Sequence, residues 1–249
     1  MCRHLAYLGA PVQLARLLFD APHALARQAW APLDMRGGGT INADGFGVAW
    51  YPGDGADPVR YRRATPMWSD AALPALAAHT RAGGVLAAVR SATTGMPVVE
   101  TAAAPFAEGP WLFSHNGVVR GWPDAVAGIA ARLPVRDLLT LDAPTDSALL
   151  WALVRDRLRA GVPAAKAVAE TVTEVAAAAP GSRLNLLLTD GRQVVASTAG
   201  HALSVRADTT SVLVSSEPLD PGPAWRAVPD GRLLVATPSD LDITVLGRS

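Results

Sequence analysis

Residues 2–9 (CRHLAYLG) alternate polar and apolar positions well enough to predict a strand. Residues 11–19 (PVQLARLLF) carry apolar side chains at helical spacing behind a proline at a favoured first-turn position. A glycine-dense stretch, RGGGTINADGFG (36–47), leads into VAWY, which reads as a buried strand. Residues 69–82 (SDAALPALAAHTRA) predict a helix behind a Ser/Asp cap, 85–90 (VLAAVR) another strand, and 111–119 (WLFSHNGVV) a strand running into a polar turn. Two longer helices follow, over 145–161 with a Thr/Asp cap and a terminal glycine, and over 163–179, which stops before Pro-Gly. The period then shortens. LNLLLTD, QVVAS, ALSVRA, SVLVSS, WRAV, RLLVAT and ITVLG predict short strands, separated by Asp-Gly, Gly-His, Asp-Thr and Pro-Gly turn signals. Strands at both ends with helices between them predict an α+β fold with two packed sheets, and the lack of repeats or low-complexity linkers predicts one domain over 1–249.

Composition narrows the function. A chain of 249 residues, 50% of them hydrophobic, can bury a substantial core. Basic and acidic residues number 22 each, so no global field holds a phosphate backbone or an anionic membrane, and neither nucleic acid nor membrane is an expected partner. Apolar stretches are broken well before 18 residues, and the N-terminus lacks the basic flank and apolar run of a secretory signal. The single cysteine excludes an internal disulfide and any cysteine cluster for zinc or iron–sulfur. The expectation is a soluble, reduced, cytoplasmic protein, with homo-oligomer formation left open.

That cysteine is residue 2, small enough for the initiator Met to be removed ahead of it. Cys2 would then carry a nucleophilic thiol and a free α-amine on one residue, and the amine could serve as the base. Taken alone the feature is weak, since a buried apolar cysteine in a first strand is the commoner case. Four further segments convert it. V-R-S-A-T-T-G (89–95) puts Arg90 at a strand end before small hydroxyl residues, and F-S-H-N-G (113–117) ends a strand on Asn116-Gly117. Asn-Gly is ordinarily a hairpin turn; its chemical reading is an oxyanion hole of one side-chain amide and one backbone N–H. N-A-D-G-F-G (42–47) allows close backbone approach, and T-D-S (145–147) sets a carboxylate, Asp146, at a helix start, where a simple cap is the plainer reading.

In this order the motifs resemble the class II glutamine amidotransferases, the Cys-type N-terminal-nucleophile hydrolases. More narrowly, M-C-R-H-L-A-Y-L-G-A-P, N-A-D-G-F-G, A-A-V-R-S-A-T-T-G-M-P, A-P-F, W-L-F-S-H-N-G and S-E-P-L-D resemble a branch that hydrolyses a γ-glutamyl amide in ergothioneine biosynthesis. The resemblance implies a four-layer αββα sandwich, Cys2 as nucleophile with its α-amine as base, and Asn116 and Gly117 as the oxyanion hole. It implies Arg90 on the substrate α-carboxylate, Asp146 on its α-ammonium and a contact from Thr93. Arg36 lies near the place where the family has an arginine supporting the nucleophile, and Arg3 and His4 are candidates for the mouth of the site. The partner implied is a small-molecule γ-glutamyl substrate, and the scheme requires no metal or organic cofactor.

Two departures bear on substrate. The family's His-x-Arg-Trp-Ala-Thr reads Ala88-Val89-Arg90-Ser91-Ala92-Thr93 here, which opens space beside the glutamyl site, and the chain offers no synthase segment to receive ammonia. Both favour hydrolysis of a γ-glutamyl compound larger than glutamine. A stand-alone glutaminase or amidotransferase subunit, an amidase of another γ-glutamyl thiol, and a non-catalytic γ-glutamyl binding protein are the alternatives. For the branch's trimethylammonium-bearing leaving portion, aromatic candidates by chain position are Trp30, Trp68, Trp111, Trp225 and Tyr7. Adjacent strand residues face opposite ways, so only one of Arg3 and His4 shares the nucleophile's side. His115 is expected to pack structurally, and His23, His79 and His201 to lie on the surface or in loops. Ser216-Glu217-Pro218-Leu219 matches the branch with no assigned role.

Overall fold

In the computed structural model, which describes residues 2–36, 41–53 and 55–247, β1 (Arg3–Gln13) runs near the middle of a seven-stranded antiparallel sheet. On one side of it lie β4 (Arg81–Val89), β2 (Phe46–Trp50) and β3 (Val59–Arg63); on the other lie β10 (Val212–Ser215), β9 (Ser204–Ala207) and β11 (Arg226–Ala227). The second sheet has six antiparallel strands in the order β13 (Leu241–Val245), β12 (Arg232–Ala236), β8 (Val194–Thr198), β7 (Arg183–Thr189), β6 (Trp111–Val118) and β5 (Phe106–Glu108).

Strand alternation sorts the side chains into layers. Ala6 and Leu8 of β1 face the second sheet and share a buried layer with Leu86, Leu112, Leu187, Val194 and Ala196. Leu5 and Tyr7 face the other way, into a core roofed by α1 (Leu25–Trp30) and α2 (Leu73–His79). The second sheet's outer face, with Phe113, Leu186, Leu188 and Val195, lies under α5 (Asp146–Arg159) and α6 (Ala164–Ala178). Trp151 of α5 stacks on Phe113 with ring centroids 5.4 Å apart. The short helices α3 (Ala127–Ala130) and α4 (Val135–Leu139) complete that side. The molecule is therefore the four-layer αββα sandwich expected.

Two of the expected helices differ from the sequence reading, and the strands beside them lengthen to Arg3–Gln13 and Arg81–Val89. Residues 11–13 are strand rather than helix, because Val12 and Gln13 pair with Ala82 and Arg81 of β4, and only a wide helical turn over Arg16–Asp20 remains. The helix expected over 69–82 is confined to Leu73–His79: the Asp70 carboxylate takes the N–H groups of Ala72 and Leu73 ahead of it, and Arg81 already belongs to β4. No described helix is long and apolar enough to cross a membrane.

Candidate active site

Two sheets contribute one half of the site each. The register Arg3↔Val89 brings Cys2 beside Arg90, and the Cys2 Sγ lies 4.0 Å from the Ser91 carbonyl oxygen. The N-A-D-G segment shapes this end of β4. Gly45, with φ +131, sits in a conformation open to glycine, and its carbonyl accepts the Arg90 N–H at 2.7 Å. The Asp44 carboxylate accepts the Ala92 N–H at 2.8 Å, so Asp44 holds the loop rather than facing a substrate. Asn42 anchors the same segment to α1 through the Ala29 carbonyl. Arg90 is buried, and its side-chain bonds among the described residues, to the Pro97 carbonyl at 2.9 Å and the Asp44 carbonyl at 3.5 Å, both leave from Nη1. The other edge of the guanidinium makes no bond among the described residues.

On β6, Leu112, Ser114 and Asn116 form the row on Leu112's inward face. His4 Nδ1 meets Ser114 Oγ at 3.1 Å across the gap, so Cys2 and Asn116 each lie two residues along from a contact between the two sheets. Asn116 is buried and its amide donates weakly to Ser216 Oγ at 3.5 Å. Gly117 is required sterically: a Cβ there would stand 1.8 Å from the Arg183 carbonyl oxygen and 2.5 Å from His115 Nε2. His115 uses that space to reach the Arg183 carbonyl at 3.0 Å. A carbonyl only accepts, so Nε2 carries the proton and Nδ1 accepts from Ser147 Oγ at 2.9 Å. Burial lowers the His115 pKa and keeps the ring neutral, against the pull of nearby Asp146. Thr145 caps α5 through the Ala148 N–H, which leaves the buried Asp146 carboxylate for other partners. Asp146 accepts the Val119 N–H at 2.9 Å and the Ser147 N–H at 2.7 Å, tying the strand end after Gly117 to the helix start.

Other expected residues lie differently. His4, not Arg3, shares the nucleophile's side; it is buried behind Cys2, and burial, reinforced by His115, His201 and Arg3, lowers its pKa to about 3. Arg3 does not line a mouth. It is 2% exposed on the opposite face, donating to the Cys2 carbonyl at 3.0 Å, the Asp34 carbonyl at 2.6 Å and Glu217 at 2.9 Å. Arg36 bonds the Asp34 carboxylate, so the arginine that meets the nucleophile residue is Arg3. Its neighbours Gly37–Thr40, like Met1 and the question of its removal, lie outside the described residues. His23 and His201 are buried and partnered rather than superficial, His23 to Glu217 at 2.6 Å and His201 to Arg183 Nε at 3.0 Å; His79 is exposed as expected. Sequence spacing gave no sign of these pairings, because each joins segments far apart in the chain.

Thr93 is exposed and lines a cavity of about 450 Å³ with Met96, Val119, Arg120, Trp122 and Pro144, directly beyond the Gly117 end of β6. None of the five aromatic candidates lines it. Trp30 packs under Arg27, Trp225 beside Arg206 and Asp220, Tyr7 bonds the Ala10 carbonyl, Trp111 lies by Trp151 and Arg155, and Trp68 is exposed on another segment. Trp122 takes that position instead; its place five residues after Gly117 was the available signal. A larger cleft, about 1090 Å³, opens around Gly9, Tyr51 and Gly191 at the far end of β1, away from Cys2. Among the described residues, no group of three or more His, Cys, Asp or Glu could hold a metal ion.

A family model for class-II glutamine amidotransferases matches residues 12–208. Over its full length the chain is 39% identical to a gamma-glutamyl-hercynylcysteine sulfoxide hydrolase of Mycobacterium tuberculosis, covering 98% of that protein. It is 38% identical over 99% of its length to the protein of the same name from Mycolicibacterium smegmatis, all of which is covered. Among solved structures, a glutamine aminotransferase class-II domain protein from Silicibacter pomeroyi superposes with a TM-score of 0.68 at 26% identity, covering 99% of this chain and 100% of that one.

Proposed function

The chain belongs to the class-II glutamine amidotransferases, and on that premise we propose that it is a cytoplasmic hydrolase of ergothioneine biosynthesis, releasing glutamate and hercynylcysteine sulfoxide from γ-glutamyl-hercynylcysteine sulfoxide. What supports the reading is that Cys2 and Arg90 stand at paired strand ends of one sheet, while Ser216 Oγ, bonded to the His4 backbone of that sheet, reaches the Asn116 amide of the other, in a chain similar throughout to hydrolases of that name.

With Met1 removed, the α-amine of Cys2 takes the thiol proton, and the thiolate attacks the γ-carbonyl carbon. The Asn116 amide and the Gly117 N–H stabilise the tetrahedral oxyanion. The C–N bond breaks as the amine proton passes to the leaving nitrogen, giving a γ-glutamyl thioester. Water, deprotonated by the same amine, attacks the thioester; the C–S bond breaks and glutamate departs. Arg90 holds the α-carboxylate with the guanidinium edge that its protein contacts leave open. Asp146 has one backbone donor on each carboxylate oxygen and spare lone pairs for the α-ammonium. The leaving portion lies in the cavity beyond Thr93, with Trp122 supplying an aromatic face for the trimethylammonium.

The test is glutamate release from the sulfoxide, run beside L-glutamine and glutathione, with a Cys2→Ala control. Strong preference for the sulfoxide, lost in the control, is the expected result. Preference for glutamine overturns the substrate and leaves the family chemistry. Release that survives Cys2→Ala overturns the mechanism.

A further inference from the structure

The Ser216-Glu217 dipeptide lies just past β10, where strand alternation sends its two side chains to opposite faces of the first sheet. Both are almost fully buried. Ser216 joins β1 through backbone and side chain: its N–H donates to the His4 carbonyl at 2.9 Å, and its Oγ accepts the His4 N–H at 3.0 Å. The hydroxyl also lies 3.3 Å from the His4 carbonyl, which takes its proton, and its second lone pair faces the Asn116 amide at 3.5 Å. One donor and two acceptor positions are all the hydroxyl has. Asn116 Oδ1, buried, has no partner among the described residues, so the contact from Nδ2 to Ser216 is what fixes the direction of the amide.

Glu217 faces the helical layer. Its carboxylate accepts Arg3 Nε at 2.9 Å, His23 Nε2 at 2.6 Å, and the N–H groups of Leu33 and Asp34 at 2.8 and 3.3 Å. Burial alone would raise its pKa; these donors outweigh that and hold it below the usual carboxylate range. A buried ion pair is a poor device for stability, since apolar packing serves as well. What this one accomplishes is geometric. With Nε on Glu217 and Nη2 on the Asp34 carbonyl, Arg3 presents Nη1 to the Cys2 carbonyl.

We propose that Ser216 and Glu217 are positioning residues for the two halves of the reacting centre: Ser216 aims the Asn116 amide, and Glu217, through Arg3, fixes the residue that carries the nucleophile. The proposal deepens the mechanism above and rests on it for Asn116.

The experiment combines kinetics with chemical labelling. Ser216→Ala lowers kcat about tenfold or more with KM within twofold, and that loss disappears in an Asn116→Ala background, where no amide remains to aim. Glu217→Gln, which keeps shape and removes charge, lowers kcat roughly 10- to 100-fold in either background, in line with ångström-scale misplacement of a reacting group. Because the chain has one cysteine, alkylation by iodoacetamide reads Cys2 alone and needs no substrate. It slows threefold or more in Glu217→Gln and is unchanged in Ser216→Ala. Arg3→Lys, which keeps a cation beside Glu217 but loses the forked contact, reproduces the Glu217→Gln result and serves if that variant fails to fold. A Ser216→Ala loss of equal size with and without Asn116 overturns the Ser216 half. Wild-type alkylation and kcat in both Glu217→Gln and Arg3→Lys overturn the Glu217 half. If no γ-glutamyl substrate is turned over, the proposed function has failed, and alkylation still decides the Glu217 half.

Discussion

Replacing Gly117 by alanine separates the proposed oxyanion role from an ordinary turn. The new Cβ would lie 1.8 Å from the Arg183 carbonyl oxygen and 2.6 Å from its carbonyl carbon, both backbone atoms that no rotamer can move. Reaching ordinary contact at 3.4 Å means opening β6 from β7 by roughly 1.6 Å at this point. Strands pair about 4.8 Å apart, so an opening of that size breaks the local ladder at Asn116↔Asn185 and Gly117↔Leu184. Both proposed oxyanion donors sit on the displaced segment. Loss of one such donor costs about 10²–10³ in kcat, and the variant falls in or below that range. Overpacking of this kind costs about 1–3 kcal/mol, each lowering Tm by about 2–4 °C in a chain of this size. The assay is kcat and KM from glutamate release beside a thermal melt on the same preparation. The expected result is a cooperative melt shifted down by several degrees, with kcat reduced at least about a hundredfold. A lowered Tm with wild-type kcat would refute the reasoning, because the strand end would have moved without the chemistry noticing.

Trp122→Leu raises KM for the sulfoxide substrate about tenfold or more and leaves glutamine turnover within twofold, since loss of an aromatic face costs ~1–2 kcal/mol at a desolvated cation; equal effects on both substrates count against the subsite. Intact mass of active preparations lacks Met1, and a fully Met1-retaining protein with full activity excludes the α-amine as base. Stability falls as pH drops from about 6.5 towards 3. His4, held neutral by burial to about pH 3 in the fold, regains its usual pKa near 6.5 on unfolding, so the unfolded chain takes the proton first. Each such residue contributes about 1.4 kcal/mol per pH unit within that window, and His201, lowered likewise by burial, adds to it. Urea midpoints at pH 7 and pH 5 check this, and a midpoint no lower at pH 5 contradicts it.

The motifs reached through chemistry were legible because each is local. Cys2, Arg90, Asn116-Gly117 and Asp146 stand at strand or helix ends that hydrophobic periodicity marks within a few residues. The two-sheet architecture was legible from the change of period after residue 180. What lay beyond reading was anything decided by pairing across the chain. The register of Val12 and Gln13 against β4 overrode a helical spacing of equal strength. Arg3 and His4 were separable only as facing opposite ways, and strand order decided which faced the second sheet. Glu217 meets Arg3 across 214 positions, so no window along the sequence contains both. Trp122 is marked in the sequence only by its nearness to Gly117, because the Thr93 and Pro144 sides of its cavity come from other segments.

The division of the site between two sheets has a mechanical consequence. The nucleophile rides on one slab and the proposed oxyanion donors on the other, so the working distance of the proposed mechanism is the gap of a calliper with Cys2 on one jaw and Asn116 on the other. The spacer behind the jaws is the packed layer of Ala6, Leu86, Leu112, Leu187 and Ala196. A methyl group added or removed there changes the gap at the tip. Substitutions such as Ala6→Val, remote from every reacting atom, therefore detune turnover before they unfold the chain, and the volume of that layer is constrained by chemistry as well as by folding.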